Sequence, residues 1–250
     1  MRRFHWTAMA AVVLVTVGAS VARADTITST TNGSTFQSND TLSWATLGSN
    51  VSVTNGTVAT SVGGLQTTID FALGGPGSTQ VQCPATACSW DGNFSPSQTL
   101  LTTVNATTGK GEGALTLSFS PQTVAGVGFH IEPNPVDTGK FQAEIAAFDG
   151  TTLLGTFFAT GNATSGEDNT ALFFGLQDLT GTDITSIQVD TFNCAAGADP
   201  HCIDGFAING LQLWEGSPYP AATPEPASLM LLGSGLGALG LLSRKHRSRR

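Results

Sequence analysis

Between residues 25 and 220 no stretch of ten or more residues reads as a soluble helix, and that absence limits the fold more than any other feature. The segment is instead a series of short β-prone runs separated by turn residues. In Ala114-Leu115-Thr116-Leu117-Ser118-Phe119 the apolar side chains of Leu115, Leu117 and Phe119 recur every second position and so share one face of a strand. Ile187-Gln188-Val189-Asp190-Thr191 alternates in the same way, and Phe141-Gln142-Ala143-Glu144-Ile145 does so imperfectly. Candidate strands fall at 25–30, 41–47, 51–54, 57–61, 65–71, 100–104, 114–119, 125–131, 140–148, 153–160, 170–175, 184–191 and 206–214. Asp149-Gly150 and Asn55-Gly56 each stand between two such runs as two-residue hairpin signals. Regular strands and turns without helices predict an all-β fold, an antiparallel β-sandwich of jelly-roll type. Residues 74–98 and 193–205 read as long irregular segments.

The two ends are of a different character. Arg2 and Arg3, an apolar run over 8–17 and the small-x-small triplet Ala22-Arg23-Ala24 have the layout of a cleaved secretory signal, predicted to occupy 1–24. At the other end Thr223-Pro224-Glu225-Pro226 precedes 17 uncharged residues, 227–243, and then Arg244-Lys245-His246-Arg247-Ser248-Arg249-Arg250. A helix of that length reaches roughly 25 Å, close to the lower limit for a hydrocarbon core. Its glycines at 233, 235, 237 and 240 are tolerated in membrane helices, and the basic end favours the cytoplasmic side. A single hydrophobic C-terminal helix is expected there, preceded by one β-sandwich domain over 25–220.

Pro224-Glu225-Pro226, a short apolar helix and an Arg-rich terminus in this order resemble the PEP-CTERM sorting signal, over 221–250. The resemblance implies an exosortase as partner, transient anchoring in the inner membrane, and removal of the tail. It also implies a destination in the cell envelope or extracellular matrix of a host that makes exopolysaccharide. The logic parallels other C-terminal signals that are cut off with their hydrophobic tail. Gly126-Val127-Gly128-Phe129, 148–155, Phe173-Phe174-Gly175-Leu176, Ile184-Thr185-Ser186-Ile187 and Phe206-Ala207-Ile208-Asn209-Gly210-Leu211 are similar to the jelly-roll domains that often precede such tails. Related domains often carry Ile-Asp where this chain has Ile208-Asn209, so a metal role does not transfer to position 209.

Export changes how the charge is read. The whole chain carries 10 Lys and Arg against 18 Asp and Glu. Eight of the ten cations lie in the targeting ends, leaving 25–220 with Lys110 and Lys140 against 17 carboxylates, a formal charge of −15. Two cations cannot neutralise a phosphate backbone or an anionic lipid surface, so nucleic acid and lipid head groups are excluded as partners of this domain. The excess carboxylate favours solubility and is compatible with structural Ca²⁺ in the exterior, with 166–169 and Asp199, Asp204 and Asn209 as oxygen-rich candidates. No other cofactor and no catalytic metal site is expected.

All four cysteines, Cys83, Cys88, Cys194 and Cys202, belong to the exported part, where disulfides persist. Four cysteines allow three pairings. Cys83–Cys88 and Cys194–Cys202 are favoured because each pair lies in one Pro-containing loop.

Catalytic signals are weak. His5 and His246 lie in the removable ends, His130 sits in a strand between Phe129 and Ile131, and His201 stands beside Cys202. No serine of 25–220 has a nucleophile-elbow frame for a Ser-His-Asp arrangement. Glu112, Glu132, Glu144, Glu167 and Asp168 could supply the two carboxylates of a glycoside hydrolase only if the fold brings two together. Trp90, in a loop, is the candidate carbohydrate contact, whereas Trp44 and Trp214 are expected in the core. The leading expectation is a non-enzymatic surface or matrix protein associated with exopolysaccharide. A specific carbohydrate-binding module is the alternative, followed by a glycosidase.

Overall fold

The computed structural model describes residues 26–48, 51–73, 80–84, 93–95, 98–105, 108–133, 139–164, 170–181, 183–192 and 205–216, with backbone alone for 80–84. The predicted signal peptide, the C-terminal helix, Trp90, Cys88, Cys194, Cys202, His201, Glu167, Asp168 and Pro224-Glu225-Pro226 lie outside these residues. Cys83 is described only as backbone.

The strands are β1 (Ile27–Thr30), β2 (Asp40–Leu42), β3 (Ser52–Val53), β4 (Thr57–Thr60), β5 (Gln66–Phe71), β6 (Gln80–Pro84), β7 (Thr99–Asn105) and β8 (Leu115–Ser120). They continue as β9 (Gly126–Pro133), β10 (Gly139–Asp149), β11 (Thr152–Ala163), β12 (Leu172–Asp178), β13 (Ser186–Phe192), β14 (Phe206–Ile208) and β15 (Leu211–Trp214). Among the described residues the one helical element is a single 3₁₀ turn, Trp44–Leu47. Every pairing is antiparallel. One sheet runs β1-β12-β9-β14-β7-β6-β3, with β15 pairing both β9 and β2, and the other runs β11-β10-β13-β8-β5-β4. The all-β expectation is met.

Period-two burial explains the packing. On β8, Leu115, Leu117 and Phe119 turn inward, as their alternation requires. From β9, Val127, Phe129 and Ile131 meet them, together with Phe141, Ile145, Phe174, Ile187 and Val189, in one core between the two sheets. At about 25 cal/mol per Å² of apolar surface, side chains of this size each contribute roughly 1.5–3 kcal/mol on full burial.

Three expectations are corrected locally. The strand predicted at 41–47 stops at Leu42, because the Ser43 side chain accepts the Ala45 N–H and starts the 3₁₀ turn, which buries Trp44 completely. Asn55-Gly56 does not close a hairpin between β3 and β4, which belong to different sheets. The Asn55 side chain instead pairs with the Phe71 backbone, accepting its N–H at 2.8 Å and donating to its carbonyl at 3.2 Å. The third is β6, which lies within the segment read as irregular and pairs with β7. Asp149-Gly150 does join β10 to β11, with Gly150 at φ +55°.

Glycines make room for rings lying flat on the sheets. Gly161 stands opposite Phe141 in the β10–β11 register, and a Cβ there would lie 2.3 Å from the Phe141 ring. Phe141 is 1% exposed and cannot swing away. We therefore expect Gly161→Ala to destabilise the mature protein by about 1–3 kcal/mol through overpacking. Chemical denaturation would show this as a lower midpoint with an unchanged slope.

Candidate functional site

The predicted strand 206–214 breaks at Asn209-Gly210, and the break organises the site. Both halves lie along the same edge of β9: β14 against Ile131–Pro133 and β15 against Gly126–Gly128. Their other edges diverge, β14 to β7 and β15 to β2, so the sheet forks. A fork leaves backbone groups without ladder partners, and buried ones must be satisfied otherwise. Asn209 satisfies them. Its N–H donates to the His130 carbonyl, and its side-chain Oδ1 accepts the His130 N–H at 2.7 Å. The Asn209 carbonyl accepts the Trp44 indole N–H at 2.8 Å. Gly210 is required because a Cβ would lie 2.4 Å from the Leu42 carbonyl oxygen.

The fork opens as a cleft of about 390 Å³. Thr41, Leu42, Ser43 and Thr46 form one wall, and Gln98, Thr99 and residues 209–212 the other; Thr60, Ser61 and Val62 close it from the second sheet. Most of the lining residues carry a hydroxyl or amide side chain, set among apolar surface, and among the described residues no charged side chain takes part. The volume falls within the usual range for small-ligand sites. Such a surface can exchange many weak hydrogen bonds with a neutral, hydroxyl-rich ligand, and it offers no counter-charge to an ionic one. Sequence reasoning missed it, because its residues come from four separated segments.

Apart from Asn209, the predicted site residues that the structure describes lie elsewhere. His130 is half-buried, edge-on to Phe173 with ring centroids 5.3 Å apart. Its Nδ1 sits 3.1 Å from Asn209 Nδ2 and so accepts from it, leaving the proton on Nε2. Burial holds its pKa below the usual histidine value, so the ring is neutral at neutral pH. Asn209 is thus occupied in holding the fork. Trp44 and Trp214 are buried, as expected.

The described candidate carboxylates, Glu112, Glu132 and Glu144, are dispersed. Glu112 accepts from Asn105 Nδ2 at 2.5 Å. Glu144 sits on the outward face of β10, opposite Asp190 of β13 and beside the exposed Phe158 of β11. Glu132 is wholly buried on the other sheet, with Oε1 accepting the Thr164 N–H at 3.2 Å. Beside that bond the Thr164 and Thr170 hydroxyls both donate to Asn93 Oδ1, at 3.1 and 2.9 Å. Among the described residues no group of three or more His, Cys, Asp or Glu is placed to hold a metal.

Comparison with known proteins identifies the PEP-CTERM protein-sorting motif at residues 222–248, which carries Pro224, Glu225 and Pro226. The chain therefore ends in the sorting signal of an exported, exosortase-sorted protein. No curated protein matches the chain. Among solved structures, that of a DUF4465 family protein from Bacteroides caccae ATCC 43185 is 10% identical, over 69% of this chain and 98% of that one, with a TM-score of 0.42. A likeness of that order supports no argument about ligand or activity.

Burial pushes the Glu132 carboxyl up to about 8, against a smaller lowering by the Thr164 N–H. A carboxyl raised in the folded state stabilises fully below its ordinary value, and that contribution is lost as pH rises through about 8. Thermal stability should fall between pH 7 and 8, and Glu132→Gln, which keeps a neutral side chain throughout, should flatten that part of the profile in calorimetry.

Proposed function

We propose that this exosortase-sorted chain is a non-enzymatic surface or extracellular-matrix protein whose β-sandwich associates with neutral exopolysaccharide through the cleft at the fork. The neutral hydroxyl- and amide-lined cavity is the observation that carries the reading. A domain with a formal charge of −15 repels acidic polymers, so an uncharged glycan is the ligand its surface favours. The sequence β7-β14-β9-β12 in one sheet, facing β8-β13-β10-β11 in the other, has the winding of two Greek keys and supports the jelly-roll form of the sandwich, an architecture shared with lectin domains.

Export through the envelope also supports pairing of Cys83 with Cys88 and of Cys194 with Cys202, with the sandwich bounded at 25–220 and the sorting signal beginning at 221. Ca²⁺ remains part of the reading as a bridge between acidic surface groups and glycan hydroxyls. A glycoside hydrolase is the competing reading, and the register of Glu144 opposite Asp190 is what favours it, because cross-strand neighbours bring two carboxyls within reach of one bond.

The mature protein should be retained on the host's own polysaccharide. Gln212→Ala, inside the cleft, should weaken retention by about 5–10-fold if one or two hydrogen bonds are lost. Phe158→Ala, on the outer face of the other sheet, should leave it unchanged. Retention insensitive to Gln212, or release of new reducing ends abolished by Glu144→Gln, would contradict the proposal.

A further inference from the structure

At one end of the cleft wall two carboxyl groups lie close with no cation beside them among the described residues. Asp40 opens β2 and Glu215 follows β15, and these two strands pair. Asp40 is 8% exposed, and its Oδ1 accepts the N–H groups of Thr41 and Gly63, both at 2.7 Å. The turn at Gly63 is pressed onto this carboxyl: a Cβ there would lie 2.9 Å from its carbon. Asn39 fixes the other partner, with its Oδ1 accepting the Glu215 N–H at 2.7 Å and its Nδ2 donating to the Glu215 carbonyl. Asp40 Oδ2 and Glu215 Oε1 are both closed off from solvent, and neither meets an N–H or O–H donor.

The packed elements are β2, β15, the turn at 61–65 and Asn39. The titratable groups on them that bear on the pair are Asp40 and Glu215 themselves, and among the described residues no Lys, Arg or His acts on either carboxyl. Asp40 stands opposite Leu213 in the β2–β15 register, so Glu215, two residues further on, is its diagonal neighbour on the same face; two buried carboxyl oxygens so placed are joined by a proton or they repel.

We propose that Asp40 and Glu215 share one proton, and that this proton latches the turn at 61–65 against β2, closing one wall of the cleft. Ser61, Val62 and Thr41 line the cleft, and the Val62 N–H donates to the Thr41 carbonyl at 2.9 Å, so the latch and the wall are one piece of structure. The device would regulate the carbohydrate site, and in that respect it rests on the proposed function. The latch itself exists without a ligand.

Burial first, then the hydrogen bond to Asp40 and its charge, push the Glu215 carboxyl up to about 7. For Asp40 burial is the largest influence and acts upward, but bonds from Ser61, Glu215, Gly63 and Thr41 outweigh it and hold its pKa below the usual value. The raised group sets the window. Its stabilisation is complete below the ordinary Glu value and is lost as pH rises through about 7. The lowered Asp40 acts at the acid limit, where its contribution disappears as pH falls below the ordinary Asp range. The latch is therefore tightest in mild acid and loosened at neutral pH.

The test is amide hydrogen exchange on the full mature protein, corrected for the intrinsic pH dependence of exchange. Protection at Gly63 and Val62 should fall about tenfold between pH 5 and 7.5, a figure already reduced for the partial exposure of Glu215. In Glu215→Gln the amide donates to Asp40 at every pH, and protection should stay level. A carboxyl ¹³C titration of the wild type provides a readout independent of the variant's folding, with Glu215 titrating near 7. A flat wild-type exchange profile, an equal fall in Glu215→Gln, or an ordinary Glu215 titration would each overturn the proposal. Loss of polysaccharide retention with the exchange profile intact would remove the cleft reading and leave the latch standing.

Discussion

Three of the four contacts of Asn209 hold the fold's most exacting junction. One strand edge, that of β9, serves two short strands that part company in the middle, and a split ladder normally strands buried N–H and C=O groups. Asn209 answers with one backbone donor, one side-chain acceptor and one backbone acceptor, to His130 and Trp44. Each is a modest bond in net terms, yet leaving any of the buried partners unsatisfied costs about 1–3 kcal/mol. The cleft is the geometric consequence: where β2 and β7 are driven apart, a space opens that no described side chain fills.

The electrostatics of the domain follow from its lack of cations. In most proteins a buried carboxylate finds an Arg or Lys, but here both lysines, Lys110 and Lys140, are exposed. Buried acids must use amides, hydroxyls or protons. Glu112 uses Asn105, and Asp40 uses the backbone N–H groups of Thr41 and Gly63. Glu132 and Glu215 are pushed upward in pKa. The domain's stability is therefore biased toward mildly acidic surroundings, and the ligand its cleft suits is uncharged.

Much of the architecture could be read from the chain because it is written in period two. Leu115, Leu117 and Phe119 announce a strand with one buried face, and Asp149-Gly150 announces its turn, whatever else the molecule does. The failures have a common cause. Asn55-Gly56 looks like a hairpin, but the Phe71 backbone takes its side chain and the chain passes to the other sheet. Trp44 looks like a strand residue, but its indole is needed 165 positions away, at Asn209. The fork, the cleft and the Asp40–Glu215 pair all depend on contacts between distant segments, and no local pattern signals them. The sorting signal is the opposite case: contiguous, recognised by composition and order, and legible in the sequence alone.

The central claim is that the cleft at the fork receives a neutral glycan chain. The most direct measurement is a map of amide chemical-shift changes in the ¹⁵N-labelled mature protein as oligosaccharides cut from the host polysaccharide are added. The account predicts saturable changes at Thr41, Thr46, Thr60, Gln98 and Gln212, with Phe158 and Glu144 unmoved. Changes centred on the outer face around Phe158, or no changes at saturating glycan, would contradict it.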